Sequence, residues 1–141
     1  MKRVGIIFAM QEELEAFKEY LKIEKEYNIF ELTFYEGSIN NVQCVLVQCG
    51  VGKVNAARTT QILIDNIKVD YIFNIGVAGG IDESLCVGDI VLGEKLVQHD
   101  FDITAFNHEK GYIPSVGVYI DTDTYLLTLA DSVFKSLEDV S

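Results

Sequence analysis

The stretch "IIFAMQEELEAF", residues 6–17, joins an apolar run directly to an acidic segment. The apolar run, residues 4–9, has no polar alternation, which is typical of a strand buried on both faces of a sheet. Apolar residues then recur at helical spacing over residues 11–21. They are Met10, Leu14, Phe17 and Leu21. A buried strand followed directly by an amphipathic helix predicts an α/β sheet protein.

The same alternation of strand and helix continues along the chain. Buried strands are predicted over residues 42–49 and 69–75. A hairpin is predicted over 24–36, with its turn near Asn28, and a strand-like segment over 88–98. Helices are predicted over 50–66 and 123–137. We therefore expect a three-layer α/β/α fold with a central mixed sheet. All 141 residues are predicted to form one domain, which is incomplete because no later strand follows the last helix.

Composition narrows the classes of partner. The formal net charge is −11, and 49% of the residues are hydrophobic. A strongly acidic chain argues against nucleic acid or an anionic membrane as the partner. No apolar stretch is long enough to span a bilayer, and the run at the N-terminus is too short for a signal peptide. Three cysteines lie in apolar runs without CxxC spacing: Cys44, Cys49 and Cys86. They predict reduced, buried thiols in a cytoplasmic protein.

The acids of the first helix separate on a helical wheel. With about 100° per residue, Glu12, Glu15 and Glu19 fall roughly 140–200° from the apolar face, on the water side. Glu13 falls about 60° from the centre of that face, at its edge. Ligands of open α/β sheets bind outside the carboxyl ends of strands, where the first turn of this helix begins. Glu13 is therefore the candidate site acid, although stabilisation of the helix N-terminus alone is the commoner role of an acid at the edge of an apolar face.

Two glycine-containing turns follow predicted strands. "CGVGKVNAA", residues 49–57, meets neither the P-loop pattern nor GxGxxG, so its glycines alone indicate a tight turn. "NIGVAGG", residues 74–80, carries little side chain, so its backbone can approach a flat ligand closely. A compact turn without a ligand explains it equally well.

A third segment, "QHDFDITAF" at residues 98–106, combines a histidine with two aspartates. Its spacing is a poor zinc pattern, so a solvated loop is the better interpretation and no metal is predicted. Phe106 and Pro114 flank this loop and form a candidate apolar patch for a partner subunit.

Six motifs occur in an order that resembles one family. They are "GIIFAMQEEL", "CGVGKVNAA", "NIGVAGGI", "VGDIVL", "HDFDITAF" and "GYIP". The chain resembles, from residue 1 to about 125, the 5′-methylthioadenosine/S-adenosylhomocysteine nucleosidases of the nucleoside phosphorylase superfamily. The resemblance implies hydrolysis of the N-glycosidic bond to adenine and a thioribose within methionine salvage, without a cofactor. It also implies that Glu13 positions the attacking water.

The resemblance implies further contacts with a purine nucleoside. Val51 lines the pocket near the base or the 5′-thio group. Phe106 and Pro114 reach into the 5′-substituent pocket of the neighbouring subunit, so a homodimer is expected. Three residues border the ribose and base: Val77, Ala78 and Gly79.

The chain departs from the family in three respects. Val77 stands where nucleosidases often carry serine, and Phe8 stands where a glycine is common. The family also continues beyond residue 141, through a ribose-binding Met-Glu stretch and an aspartate that protonates the purine. We therefore expect an N-terminal portion of a nucleosidase whose activity is impaired, since general-acid help is worth typically ~10²–10⁴-fold.

Two alternatives stay open. A purine nucleoside phosphorylase needs positive charge for phosphate, whereas Gln11, Glu12 and Glu13 occupy the first loop here and repel phosphate. A non-catalytic fragment that binds a nucleoside or dimerises is the other alternative, because the leaving-group acid and the ribose carboxylate are missing.

Overall fold

The computed structural model describes residues 2–138, with side chains up to residue 136. The chain separates into two compact units that divide between Gly79 and Gly80. The expectation of one domain over residues 1–141 stays a prediction.

The first unit is built on a mixed five-stranded sheet of order β2-β3-β4-β1-β5. Its elements are β1 (Arg3–Phe8), α1 (Gln11–Lys18), β2 (Lys22–Ile29), β3 (Leu32–Ile39), β4 (Val42–Gln48), α2 (Lys53–Ile62) with a π-helical extension (Leu63–Ile67), and β5 (Tyr71–Asn74). Strand β1 lies parallel to both β4 and β5. Strands β2, β3 and β4 pair antiparallel. The predicted α/β class with a mixed sheet is confirmed.

Apolar side chains of the central strands are buried on both faces of this sheet, and alternate residues of each strand point to opposite sides. One hydrophobic cluster gathers around α1 and contains Ile6, Phe8, Leu14, Leu21, Cys44 and Leu46. The other gathers around α2 and includes Ile7, Phe34, Val45, Val47, Ile62 and Leu63. One helix thus covers each face, which is the predicted three-layer α/β/α arrangement.

The second unit contains little regular structure before its helix. Strand β6 (Lys95–Leu96) pairs antiparallel with β7 (Ile120–Asp121), a 3-10 turn spans Thr104–Phe106, and α3 covers Thr124–Glu138. The predicted strand over residues 88–98 is wrong except at two residues. A strand needs a hydrogen-bonding neighbour, and among residues 88–98 only Lys95 and Leu96 pair with another strand.

Two smaller predictions are also wrong. The hairpin turns at Phe30 and Glu31 rather than near Asn28, because Phe30 adopts a left-handed φ of 53° while Asn28 pairs with Thr33 inside the ladder. Cys86 is exposed, whereas Cys44 and Cys49 are buried as predicted. Its backbone belongs to a turn closed by Asp89, which leaves the thiol outside any core.

Within residues 2–138, no helix has the length and apolarity needed to cross a membrane.

Candidate active site

Three parallel strands of the first unit end at the same edge of the sheet. The N–H of Cys49, after β4, donates to the carbonyl of Phe8 at 2.8 Å. The N–H of Ile75, after β5, donates to the carbonyl of Ile7 at 3.1 Å. The turns that follow β4 and β5 therefore flank the turn between β1 and α1, which is where open α/β sheets bind ligands.

The carboxylate of Glu13 links two of these turns. Its Oε2 accepts hydrogen bonds from the backbone N–H groups of Ala9 and Met10, each at 2.9 Å. Its Oε1 accepts a third from the N–H of Val77 at 3.0 Å. One half-buried side chain thus joins the turn after β1 to the turn after β5.

The position of Glu13 in the helix explains only part of this arrangement. Glu13 is the third residue of α1, and Met10 is the N-cap. A glutamate at that position commonly accepts the N-cap N–H, as half of a capping box. Stabilisation of the helix N-terminus therefore explains the bonds from Ala9 and Met10. It does not explain the bond from Val77, which lies 64 residues later in the chain.

These bonds fix the charge of the site. The N–H of Val77, with those of Met10 and Ala9, holds the pKa of the Glu13 carboxyl below its usual value, against the opposing effect of partial burial. Donors that point at a carboxylate favour its ionised form. Glu13 is therefore an anion at neutral pH, and an anion of this kind can orient a water molecule and accept its proton.

The other acids of α1 lie where the helical wheel places them. Glu12, Glu15 and Glu19 are exposed. Glu15 accepts a hydrogen bond from Gln11 at 2.6 Å and pairs with Lys18 at 3.5 Å, which are ordinary contacts along a helix surface. Only Glu13, among the acids of this helix, contacts a strand exit.

The predicted substrate contacts of the first unit lie in two exposed turns. Val51 is 74% exposed, and the carbonyl of Val51 accepts a hydrogen bond from Asn55 Nδ2 at 2.9 Å. The Val77 side chain is 80% exposed, although its N–H binds Glu13. Ala78 and Gly79 are exposed as well. The structure brings Val77 to Glu13, and the contact of all four residues with a substrate stays a prediction.

The predicted partner-facing residues belong to the second unit. Phe106 ends the 3-10 turn and is 75% exposed, and Pro114 is exposed as well. Both side chains are available for a partner, but their role stays a prediction. In the same unit, Asp102 accepts hydrogen bonds from the N–H and Oγ1 of Thr104. Across residues 2–138, no three His, Cys, Asp or Glu side chains come together as metal ligands.

Two groups around Glu13 were not predicted from the sequence. Gly76 lies directly against the carboxylate. Cys49 carries a thiol whose pKa is raised by burial and, more weakly, by the charge of Glu13, so this thiol stays protonated. The sequence shows that Cys49 follows the strand β4, but its proximity to Glu13 depends on the parallel pairing of β1 and β4. A backbone donor such as the N–H of Val77 cannot be recognised from the type of residue at that position.

Two cavities of the first unit are lined by other residues than Glu13. The larger is an open groove between the hairpin turn and α2, lined by Phe30, Glu31, Arg58, Gln61, Ile62, Asp65 and Asn66. The smaller lies beside α1 and is lined by Gln11, Leu14, Glu31, Leu32, Thr33, Tyr35 and Gln48. Hydrogen bonding and charge therefore identify the candidate site, whereas concavity does not.

Comparisons with known proteins agree with this architecture. The profile of the phosphorylase superfamily matches residues 3–139. A 5′-methylthioadenosine/S-adenosylhomocysteine nucleosidase of Staphylococcus carnosus is 42% identical over 96% of this chain and 59% of its own length. The chain spans about 60% of the length of the curated relatives it matches.

Solved structures give the same result. A nucleosidase of that name from Colwellia psychrerythraea, in complex with adenine, is 40% identical with a TM-score of 0.92, over 98% of this chain and 57% of that one. A futalosine hydrolase of Helicobacter pylori is 30% identical with a TM-score of 0.92, over 97% of this chain and 59% of that one.

Proposed function

Because the chain belongs to the phosphorylase superfamily and holds an ionised carboxylate at its strand exits, we propose that its protein is a nucleosidase. It hydrolyses the N-glycosidic bond of 5′-methylthioadenosine or S-adenosylhomocysteine to adenine and a thioribose. The observation that supports this proposal most directly is the Glu13 carboxylate, which accepts hydrogen bonds from three N–H groups of two turns. The names of the relatives supply the substrate class.

Glu13 acts on the water in this proposal. Its Oε2 already accepts two hydrogen bonds, whereas Oε1 accepts one, so Oε1 has room for a water molecule. Cleavage of an N-glycosidic bond passes through a sugar with oxocarbenium character, as in glycoside hydrolysis. The carboxylate stabilises that cation and takes a proton as the water oxygen bonds to the anomeric carbon. The bonding electrons leave with the adenine.

Hydrolysis is favoured over phosphorolysis because the backbone N–H groups of the first turn already donate to the Glu13 carboxylate. N–H groups at a helix N-terminus commonly bind phosphate, but here the Glu13 carboxylate accepts those of Ala9 and Met10. The two arginines of the chain make contacts elsewhere. Arg3 binds Glu36 at 3.0 Å, and Arg58 lies 3.9 Å from Glu31. An anionic carboxylate in the turn repels a phosphate nucleophile.

The assembly proposed with this function is a homodimer in the cytoplasm. Exposed Phe106 and Pro114 support it, since an aromatic ring that is 75% exposed is a typical interface residue. Light scattering tests the assembly. A mass of two chains is expected, and a mass of one chain at micromolar concentration contradicts it.

Product analysis tests the reaction. The protein is incubated with methylthioadenosine, S-adenosylhomocysteine or futalosine, with and without phosphate. Free thioribose and adenine, formed at a rate independent of phosphate, support the proposal. A sugar phosphate product supports a phosphorylase instead, and calorimetric binding of adenine without any turnover supports a binding module. Futalosine is included because the Helicobacter pylori futalosine hydrolase is structurally as similar as the nucleosidase.

The expected rate depends on the length of the protein. The resemblance places the acid that protonates adenine beyond the residues matched here, and the chain spans about 60% of its relatives. A variant limited to residues 1–141 is therefore expected to turn over more slowly than a chain that carries this acid, since general-acid help is worth typically ~10²–10⁴-fold.

A further inference from the structure

We infer that Gly76 is the residue that positions the Glu13 carboxylate. A Cβ atom built at Gly76 lies 2.6 Å from Glu13 Oε1, 3.0 Å from Cδ and 3.2 Å from Oε2. Such distances are shorter than carbon and oxygen tolerate without displacement. The hydrogen atom of the glycine is therefore what allows the carboxylate to reach the N–H of the next residue, Val77. The importance of this position for catalysis rests on the proposed function.

The backbone does not require glycine at this position. Glycine is usually needed where φ is positive, as at Gly50 and Gly52, with φ values of 85° and 109°. The φ of Gly76 lies outside that region, so any residue can adopt the same backbone. The absence of a side chain at Gly76 therefore serves the close approach of Glu13 rather than the geometry of the turn.

Alanine at position 76 is expected to displace the carboxylate and leave the fold in place. The three atoms nearest to the added methyl group belong to the end of the Glu13 side chain, which can rotate away. Rotation breaks the hydrogen bond from Val77, which is the first cause of the lowered Glu13 pKa. Catalysis is then lost even though every reacting group remains in the protein.

The test is an NMR titration of the Glu13 carboxyl carbon in the wild type and in Gly76→Ala, with Glu13→Gln used to assign the resonance. The titration midpoint is expected to rise towards the ordinary glutamate value in Gly76→Ala. The matched control is Gly79→Ala in the same turn, where an added Cβ meets no atom within 4 Å. The control should leave the Glu13 midpoint unchanged. An unchanged midpoint in Gly76→Ala overturns the inference.

A double-mutant cycle tests the same contact through stability. Gly76→Ala should lower the urea midpoint when Glu13 is present and should have a smaller effect in the Glu13→Ala background, where the opposing atoms are gone. An equal loss in both backgrounds shows that the glycine accommodates something else. Failure of the proposed function can be told apart from failure of this inference. If the titration midpoint of Glu13 rises in Gly76→Ala but the wild type releases no adenine, Gly76 positions Glu13 and the nucleosidase assignment is wrong.

Discussion

Glu13 combines two roles at the residue scale. Its bonds to Ala9 and Met10 cap its own helix, and its bond to Val77 holds the exit of β5. The helical wheel singles out Glu13 from its neighbours because periodicity reports which side chain lies at the edge of a buried face. Periodicity cannot report a backbone donor from another strand or the space left by Gly76. The place of Glu13 at the edge of the buried face was therefore predictable, and the contacts that hold its carboxylate were not.

The lowered pKa of Glu13 predicts a pH-dependent contribution to stability. A carboxyl whose folded pKa is below its unfolded value, about 4.3 for glutamate, stabilises the fold above that value. The contribution is lost as the pH falls through the folded pKa. Glu13→Gln should therefore be less stable than the wild type at pH 7, and the difference should shrink as acid is added.

Urea unfolding at neutral and acidic pH measures this difference. Glu12→Gln is the matched control, because Glu12 is an exposed neighbour in the same helical turn. The free energies of unfolding of the wild type and Glu13→Gln are compared at each pH. A difference that stays constant down to the most acidic pH at which both proteins fold contradicts the lowered pKa of Glu13.

At the scale of elements, the buried strands, the first helix and the last helix were predictable, since α3 (Thr124–Glu138) matches the helix predicted over 123–137. The segment between residues 80 and 123 was not. Strands β1 and β4 match their predicted ranges within one residue at each end, because both are apolar on two faces and end at turn residues. The apolar segment over residues 88–94 reads as the same kind of strand, yet Ile90 and Val91 are 70% and 67% exposed. Apolar composition predicts burial only where a partner strand exists to complete the ladder.

The hairpin formed by β2 and β3 depends on the glycine at its far end. A Cβ atom at Gly37 lies 2.1 Å from the carbonyl oxygen of Lys22 and 3.1 Å from the Cα of Ile23. Both are backbone atoms, so the clash cannot be relieved by a side-chain rotation. Gly37→Ala is therefore expected to lower the free energy of unfolding by about 1–3 kcal/mol or more.

Urea denaturation compares this variant with Gly79→Ala, in which the new methyl group meets no atom within 4 Å. The control should be close to the wild type in stability. Equal effects of the two substitutions contradict the close strand approach at Gly37.

At the scale of the whole molecule, burial is concentrated in the first unit. Among the described residues, every buried hydrophobic side chain lies between Ile6 and Ile67. The slowest-opening parts of a protein are those with dense apolar contacts. Amide hydrogen exchange should therefore be slowest in β1 and β4, and residues 80–94 should exchange much faster. Comparable protection in both regions contradicts this distribution.

The role proposed for the Glu13 carboxylate is to hold the attacking water. Its most direct test is the rate of adenine release from methylthioadenosine in single-turnover reactions, with protein in excess so that slow cleavage is visible. Glu13→Gln should lower this rate by about 10²–10⁴-fold, the usual contribution of a general base, and Glu12→Gln should leave it unchanged. Equal losses in both variants, or undiminished release by Glu13→Gln, would contradict this role of Glu13.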